Sequence, residues 1–248
     1  KPNNINFPIK RKQKLNGEKI ISFNNSIKIN NLDFKYETRP NKIFDKINLE
    51  IKKGEIVGII GETGSGKSTL VNLICGLIQP ENKNKNNIIT VDDVDINENI
   101  SSWQSKIGYV PQSIYLTDDT IKSNIAFGEN VEKISNEKLD FAIKHSGLEG
   151  IINSLPNQSN TLVGEKGIEF SGGQQQRLGI ARALYNHPEL LIFDEATSAL
   201  DINTEAQILD SLKLLKGKKT IIIITHRSAS LRDCDKIYKI ENFKSKKI

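Results

Sequence analysis

The chain has 248 residues, of which 37% are hydrophobic, and a formal net charge of +5. These values fit one large globular domain or two small ones, and no apolar run approaches the ~18–20 residues that a membrane-spanning helix needs. Lysines concentrate at both chain ends without interleaved aromatic residues, so solvated ends are favoured over a nucleic-acid patch, with a juxtamembrane basic segment as the next candidate. The two cysteines lack metal-ligand spacing, which fits a reducing compartment.

The amino-terminal third begins with a polar arm, after which apolar and polar residues alternate. Residues 1–25 are rich in Asn, Lys and Pro and predict a linker. Alternating apolar residues predict a strand pair over 27–36 and another strand over 43–51. A buried strand over 55–60 and an amphipathic helix over 68–77 follow. The early strands therefore predict a small antiparallel layer ahead of the first strand–helix unit.

The rest of the chain alternates strands with helices. The predicted elements are strands over 88–96, 107–110, 190–193 and 220–224, and helices over 136–145, 173–185 and about 203–215. Such alternation indicates an α/β domain with a largely parallel sheet. The mostly helical stretch of residues 115–186 predicts a subdomain inserted between two strands of that sheet.

Residues 61–68, GETGSGKS, match the G-x-x-x-x-G-K-[ST] pattern between an apolar strand and an amphipathic helix. The glycines let the backbone approach phosphates, and the N–H groups of Gly64, Gly66 and Lys67 point inward at the helix start. Lys67 places a positive charge at the β- and γ-phosphates, and Ser68 offers a hydroxyl to Mg²⁺. The motif predicts a nucleotide site.

The second motif is a pair of acidic residues, Asp194 and Glu195, which directly follows the predicted strand over 190–193. At a strand end beside the phosphate loop, Asp194 is expected to lie near the Mg²⁺ on Ser68. Glu195 is then available to position or deprotonate the water that attacks the γ-phosphate. The alternative for this pair is a simple cap on the next helix.

Between these motifs lies FSGGQQQR, residues 170–177, which resembles the signature segment of ATP-binding cassette (ABC) proteins. With the phosphate loop and LLIFDE in the family's order, the resemblance extends from about residue 27 to 240. It implies a P-loop NTPase (RecA-like) α/β core with an antiparallel β subdomain and an inserted α-helical signature subdomain. The domain would cover 26–248, with the helical part at about 115–186.

The resemblance also implies roles for single residues. Tyr36 matches the aromatic residue that stacks on adenine, although simple strand packing is an alternative. Gln112 matches the glutamine that senses Mg²⁺ and the attacking water, and His226 the histidine that contacts the γ-phosphate. Together with Glu195 and Lys67, Gln112 and His226 form the implied catalytic set, while Ser68, Gln112 and Asp194 form the implied Mg²⁺ set.

Other matching residues are implied to act across an interface. Ser171 and Gly173 would contact a γ-phosphate held by an opposite protomer, and residues 198–201, SALD, match the loop that crosses the dimer interface. The full implied set of nucleotide-contacting residues is Tyr36, Gly61, Glu62, Thr63, Gly64, Ser65, Gly66, Lys67, Ser68, Thr69, Gln112, Ser171, Gly173, Gln174, Asp194 and Asp201. ATP and Mg²⁺ are the implied cofactors, and no nucleic acid is expected.

Two further segments resemble exporter-type ABC proteins: TLVGEKG at 161–167 and TIKSNIAFG at 120–128. The chain has no methionine, even at position 1, so it is expected to be a piece of a longer protein. The resemblance implies a preceding transmembrane domain in the same polypeptide, joined through residues 1–25. It also implies a second nucleotide-binding domain, identical or paralogous, at the cytoplasmic face of a membrane, expected to be a bacterial inner membrane.

Three departures from the family pattern stand out. Phe170 replaces the usual Leu, Ser123 stands where an acid is common, and residues 241–244 lack the usual glycine turn. Two alternative functions remain open at this point. A soluble, non-transport ABC ATPase would usually carry tandem cassettes or coiled-coil insertions, and a regulatory module that does not hydrolyse ATP would not need Glu195 and His226.

Overall fold

The computed structural model describes residues 20–38, 40–80, 88–165, 167–197 and 200–248. Most of the expected linker, residues 1–19, lies outside this part of the chain. So do Lys166 of the exporter-like segment and Ser198 and Ala199 of the expected interface loop.

The described residues form strands and helices in alternation. The strands are β1 (Ser26–Phe34), β2 (Phe44–Lys52), β3 (Ile56–Ile60), β4 (Ile89–Val91), β5 (Val94–Asp95), β6 (Ile107–Val110), β7 (Asp119–Thr120), β8 (Leu162–Val163), β9 (Leu190–Asp194), β10 (Thr220–Ile224), β11 (Lys236–Glu241) and β12 (Lys244–Lys247). The helices are α1 (Lys67–Ile74), α2 (Ile100–Gln104), α3 (Ile121–Ile125), α4 (Asn136–His145), α5 (Glu149–Asn153), α6 (Gly172–Leu184) and α7 (Ile202–Lys213).

A six-stranded sheet with the order β12-β11-β3-β10-β9-β6 forms the centre of the domain. The five strands from β11 to β6 run parallel, and β12 adds an antiparallel edge. The carboxyl ends of parallel strands meet at one edge of a sheet, where α/β proteins bind their ligands. The α/β prediction with a largely parallel sheet is confirmed.

The two faces of this sheet bury two different cores. Along β9 and β10, Leu190, Ile192 and Ile222 pack with α1 and the second sheet, whereas Leu191 and Phe193 pack with α4 and α6. Alternate residues of a strand point to opposite faces, so continuous apolar strands such as Thr220–Ile224 fill both cores. The central sheet is therefore packed on both faces.

The antiparallel layer predicted near the amino terminus is the sheet β2-β1-β4-β5. Residues just before it also join the core: Ile21 and Phe23 are buried, and the Phe23 ring meets Trp103 edge-on at 6.1 Å between centroids. The Ile21 N–H donates to Ser102 Oγ at 3.0 Å. Residues 20–25 are thus packed against the domain.

The structure corrects several predicted boundaries. Helix α1 ends at Ile74 rather than residue 77, because Gly76 adopts a left-handed φ of 65° and starts a turn. The single strand predicted over 88–96 is a hairpin, β4–β5, whose turn residues Asp92 and Asp93 have φ of 49° and 65°.

The carboxyl-terminal hairpin β11–β12 was not predicted. Its second strand, KSKK, has no apolar alternation, so sequence periodicity gives no signal for it. Asn242 and Phe243 form its turn with φ of 49° and 65°, although neither is glycine. The turn therefore forms without the missing glycine, with Phe243 in a conformation that bulky residues rarely adopt.

Candidate nucleotide site

A cavity of about 530 Å³ opens at the carboxyl ends of β3 and β9. Most of the residues predicted for nucleotide binding between 36 and 195 line it. The lining residues are Tyr36, Thr38, Ile43, Thr63, Gly64, Gly66, Lys67, Ser68, Thr69, Gln112, Asp194 and Glu195. The structure therefore brings together groups that are up to 159 positions apart in the chain.

The loop between β3 and α1 needs glycine at specific positions. Gly64 and Gly66 have φ of 83° and 101°, which other residues adopt only with strain. A Cβ on Gly66 would also lie 2.6 Å from Ile43 and 2.9 Å from the Phe44 ring. The loop therefore turns tightly over β2 and presents its backbone N–H groups at the start of α1, which is a favourable place for phosphate.

Lys67 is almost fully buried at the base of this loop, with 5% of its surface exposed. Its Nζ donates to the carbonyls of Gly61 at 2.9 Å and Glu62 at 3.0 Å, and lies 3.8 Å from Glu195 Oε1. The ammonium group is thus fixed inside the loop, next to the acid expected to act on water. Gly61, Glu62 and Ser65 shape the loop but do not line the cavity.

Asp194 lies at the end of β9 with hydroxyl partners on both carboxylate oxygens. Ser68 Oγ is 3.5 Å from Oδ1, and Tyr109 donates its O–H to Oδ2 at 3.0 Å. Burial raises the pKa of Asp194, and the hydrogen bonds from Tyr109 and Ser68 only partly offset this effect. A hydroxyl and a carboxylate on one edge of a phosphate site are the hard oxygen donors that Mg²⁺ accepts, so these residues fit that ion.

Glu195 and His226 meet beside this pair. Glu195 follows β9, His226 follows β10 by two residues, and these strands are hydrogen-bonded neighbours. His226 Nδ1 lies 3.5 Å from Glu195 Oε1. Glu195 has a left-handed φ of 51°, and its N–H donates to the Ile224 carbonyl at 3.0 Å, which turns the acid away from the strand direction.

Tyr36 and Gln112 form the outer part of the cavity. The Tyr36 hydroxyl lies 3.2 Å from Thr69 Oγ1, so the ring is anchored to α1. Its ring also packs edge-on against Phe34 at 4.9 Å between centroids. Gln112 follows β6 and is exposed at the cavity wall. Both residues are in positions compatible with their predicted contacts.

The predicted signature residues lie elsewhere. Ser171 caps α6: its Oγ accepts from the Gln174 N–H at 3.3 Å, and Gln174 Oε1 accepts from the Ser171 N–H at 2.9 Å. None of Ser171, Gly173 and Gln174 is among the residues that line the described cavity. The capped start of α6 is a second surface, and the structure does not bring it to the ATP cavity of the same chain.

Asp201 caps α7 beside that surface. Its Oδ1 accepts from the N–H groups of Asn203 at 3.1 Å and Thr204 at 3.0 Å. A Cβ on Gly173 would lie 3.0 Å from Thr204 Cγ2, so the starts of α6 and α7 are in contact. Asp201 is exposed and does not line the cavity.

The chain matches the family described as ABC transporter over residues 44–198. It is 41% identical over 221 residues to a Rickettsia typhi protein named as an export ATP-binding/permease protein, covering 88% of this chain and 37% of that protein. It is 41% identical over 223 residues to the alpha-hemolysin translocation ATP-binding protein HlyB of Escherichia coli, covering 89% and 31%. A solved bacterial Atm1-family ABC exporter with ATP bound superposes with a TM-score of 0.81 at 34% identity, covering 93% of this chain and 40% of that one.

The chain belongs to the ABC transporter family. Its fold is the P-loop NTPase fold of that family's ATP-binding domains, as predicted. The chain spans only about a third of the two curated relatives. Within the described ranges, no helix is both long and apolar enough to cross a bilayer.

Two residues of this ABC domain were missed in the sequence. Tyr109 lies 85 positions before Asp194, to which it donates, and Glu205 accepts from Thr197 and Arg227, 8 and 22 positions away, in segments with no recognisable motif. Their significance depends on contacts that only the fold creates. In the described part of the chain, no group of three or more His, Cys, Asp or Glu side chains could hold a metal by itself.

Proposed function

We propose that this chain hydrolyses ATP in the described cavity to power export of a substrate across a membrane. The observation that carries the proposal is that Lys67 Nζ and His226 Nδ1 lie 3.8 and 3.5 Å from Glu195 Oε1, next to the Ser68–Asp194 pair. These groups surround the position that a γ-phosphate on the loop would occupy. Transfer of that phosphoryl group needs charge stabilisation from several sides together with an oriented water.

Each residue has a distinct task in this proposal. Tyr36 stacks on the adenine ring, the loop N–H groups and Lys67 hold the β- and γ-phosphates, and Gln112 contacts the water and the ion. Glu195 accepts a hydrogen bond or a proton from the attacking water, and His226 donates to the γ-phosphate. Ser68 and Asp194 would hold Mg²⁺, which would supply positive charge next to the phosphates.

The separate signature surface supports a second nucleotide-binding domain as partner. Because Ser171 Oγ serves as the acceptor in its cap, its hydroxyl hydrogen is still able to donate to a phosphate. The α6 amino terminus adds backbone N–H groups and the positive end of the helix dipole. Two domains arranged head to tail, identical or paralogous, would each complete the other's site with Ser171, Gly173, Gln174 and Asp201.

The partners beyond this pair are inferred from the relatives. A relative named as an ATP-binding/permease protein and a matching exporter structure, both much longer than this chain, support a transmembrane domain joined before residue 26 in the same polypeptide. The domain would then lie at the cytoplasmic face of the membrane. Exposed Tyr115 and Phe127, 78% and 61% accessible, suit contact with such a membrane domain.

The test is the substitution Glu195→Gln. It keeps the side-chain size but removes the group that acts on water, so we expect phosphate release to fall at least about 100-fold while ATP binding remains. ATP would then hold two copies together, and size-exclusion chromatography with ATP and Mg²⁺ would show a dimer. Glu189→Gln, at the opposite end of β9, is the matched control and is expected to behave as wild type. Wild-type hydrolysis by Glu195→Gln would contradict the proposal.

A further inference from the structure

A buried carboxylate outside the cavity connects the segments that carry the expected catalytic groups. Glu205, on the first turn of α7, is only 4% exposed. Its Oε1 accepts from Thr197 Oγ1 at 2.9 Å and Ser230 Oγ at 2.6 Å, and its Oε2 accepts from Arg227 Nη1 at 2.6 Å. A buried carboxylate is tolerated only with such partners, so all four side chains are constrained together.

Two of the three donors stand next to the predicted catalytic residues in the chain. Thr197 lies two residues after Glu195, and Arg227 directly follows His226. The Arg227 N–H also donates to Thr225 Oγ1 at 2.9 Å, which fixes the backbone turn at His226. Glu205 therefore joins the loop after β9 to the loop after β10, beyond the point where the strand pairing ends.

The same cluster reaches the interface segment. Arg227 Nη1 donates to the Leu200 carbonyl at 3.1 Å, directly before Asp201. The Glu205 N–H donates to the Asp201 carbonyl at 3.0 Å in the first turn of α7. The Glu205 carboxylate thus links two loops, the one between β9 and α7 that carries Glu195 and Asp201, and the one after β10 that carries His226.

We propose that Glu205 is a positioning residue for ATP hydrolysis. It touches neither the cavity nor any group expected to react, and it acts by holding Glu195 and His226 in register through Thr197 and Arg227. The inference rests on the proposed function, because it takes the roles of Glu195 and His226 from it. Loss of the Glu205 charge would let the two loops separate while the phosphate loop, which Glu205 does not contact, keeps its shape.

This arrangement predicts a specific kinetic pattern. Glu205→Gln retains the size of the side chain but removes the charge that pairs with Arg227, so we expect kcat for phosphate release to fall about 10- to 100-fold. The KM for ATP and the affinity for a fluorescent ATP analogue are expected to stay within about twofold of wild type. A purely structural role would instead lower the fraction of folded, ATP-binding protein and leave kcat per bound ATP unchanged, which would overturn the inference.

Glu189→Gln is the matched control for the loss of a carboxylate in an ion pair. Glu189 accepts from Lys106 at 2.6 Å and Lys53 at 3.0 Å, directly before β9, at the end of that strand remote from the cavity. We expect this variant to keep wild-type kcat. If Glu189→Gln lowers kcat as much as Glu205→Gln does, the loss of any ion pair lowers kcat, and the positioning role of Glu205 is refuted.

Milder variants keep the inference testable if Glu205→Gln fails to fold. Thr197→Val and Ser230→Ala each remove one hydroxyl donor with little change of volume. Because Thr197 is the link to Glu195, we expect Thr197→Val to lower kcat about three- to tenfold, and Ser230→Ala to have the smaller effect. Wild-type kcat in folded Thr197→Val would overturn the inference.

A double-mutant comparison separates this inference from the proposed function. If Glu205 acts partly by placing Glu195, then adding Glu205→Gln to Glu195→Gln should lower the residual hydrolysis by a smaller factor than Glu205→Gln lowers that of the wild type, because only the placement of His226 remains to be lost. An additive loss in the double variant would refute positioning of Glu195. Wild-type hydrolysis in the Glu195→Gln variant would refute the proposed function. If hydrolysis is lost in Glu195→Gln but kcat stays at the wild-type value in Glu205→Gln, only the role of Glu205 is refuted.

Discussion

The two ends of strand β9 carry carboxylates in opposite electrostatic situations. Glu189, directly before the strand, accepts hydrogen bonds from Lys106 and Lys53, and these overcome the effect of burial and hold its pKa below the ordinary value. Among the described residues, those that donate to Asp194 at the other end are the hydroxyls of Tyr109 and Ser68, and burial raises its pKa.

The difference indicates which acid is structural and which is poised for a ligand. A carboxylate matched by two ammonium groups has its counter-charge within the fold. A buried carboxylate that lacks a directly bonded cation gains stability when a cation binds, and Asp194 sits at the edge of a phosphate-shaped loop. The same strand therefore provides a structural ion pair at one end and a binding group at the other.

The largest effect is expected from Asp194→Asn. The amide keeps the shape but removes the negative charge available to Mg²⁺, so we expect Mg²⁺-dependent phosphate release to fall at least about 100-fold. Binding of ATP without Mg²⁺ is expected to persist, since the loop and Lys67 are intact. Phosphate release across a Mg²⁺ titration checks this, and wild-type activity at low millimolar Mg²⁺ would mean that Asp194 is not the poised acid.

A smaller effect is expected from Tyr109→Phe. The hydroxyl of Tyr109 donates to Asp194 Oδ2 at 3.0 Å and orients the carboxylate towards Ser68. Its loss is expected to raise the Mg²⁺ concentration for half-maximal hydrolysis about tenfold, as for other groups that orient metal ligands, with the rate at saturating Mg²⁺ retained.

Tyr238→Phe is the control for Tyr109→Phe. Tyr238 lies in β11 of the same sheet and donates its O–H to the Glu50 carbonyl at 3.0 Å, away from the cavity. It is expected to leave the Mg²⁺ dependence as in wild type. If Tyr109→Phe also leaves it unchanged, Asp194 does not depend on its hydroxyl partner.

The parts of this site that could be read from the sequence are the local ones. The sequence predicts the loop at 61–68 and the acids Asp194 and Glu195, because in both cases the functional groups are consecutive residues that follow an apolar strand. Tyr109 gave no such signal. Its relation to Asp194 arises from parallel pairing of β6 with β9, which places Tyr109 beside Ile192 and so brings its hydroxyl to Asp194, 85 positions further along the chain.

In the fold, too, local patterns were predicted correctly and features that depend on distant contacts were missed. Helix α4, Asn136–His145, and strand β10, Thr220–Ile224, were predicted with correct bounds, because their apolar patterns are strong and local. The hairpin of β11 and β12 was missed because KSKK is an exposed edge strand, stabilised by pairing rather than by burial. In the sequence, Glu205 looks like an ordinary polar residue of a helix. The packing of α7 makes it the shared hydrogen-bond acceptor of Thr197, Arg227 and Ser230.

The smallest expected effect concerns the structural end of β9. Because the pKa of Glu189 is lowered by folding, its ion pairs add stability above the ordinary Glu pKa of about 4.5, and this contribution is lost as the pH falls through the lowered value. Glu189→Gln is therefore expected to lower the melting temperature by about 2 °C at pH 7, and this difference from wild type should disappear as the pH falls through the lowered pKa of Glu189. Hydrolysis is expected to stay at the wild-type rate, measured at a temperature well below unfolding. A drop in hydrolysis without a change in melting temperature would reverse the comparison, since it would make the remote end of β9 the functional one.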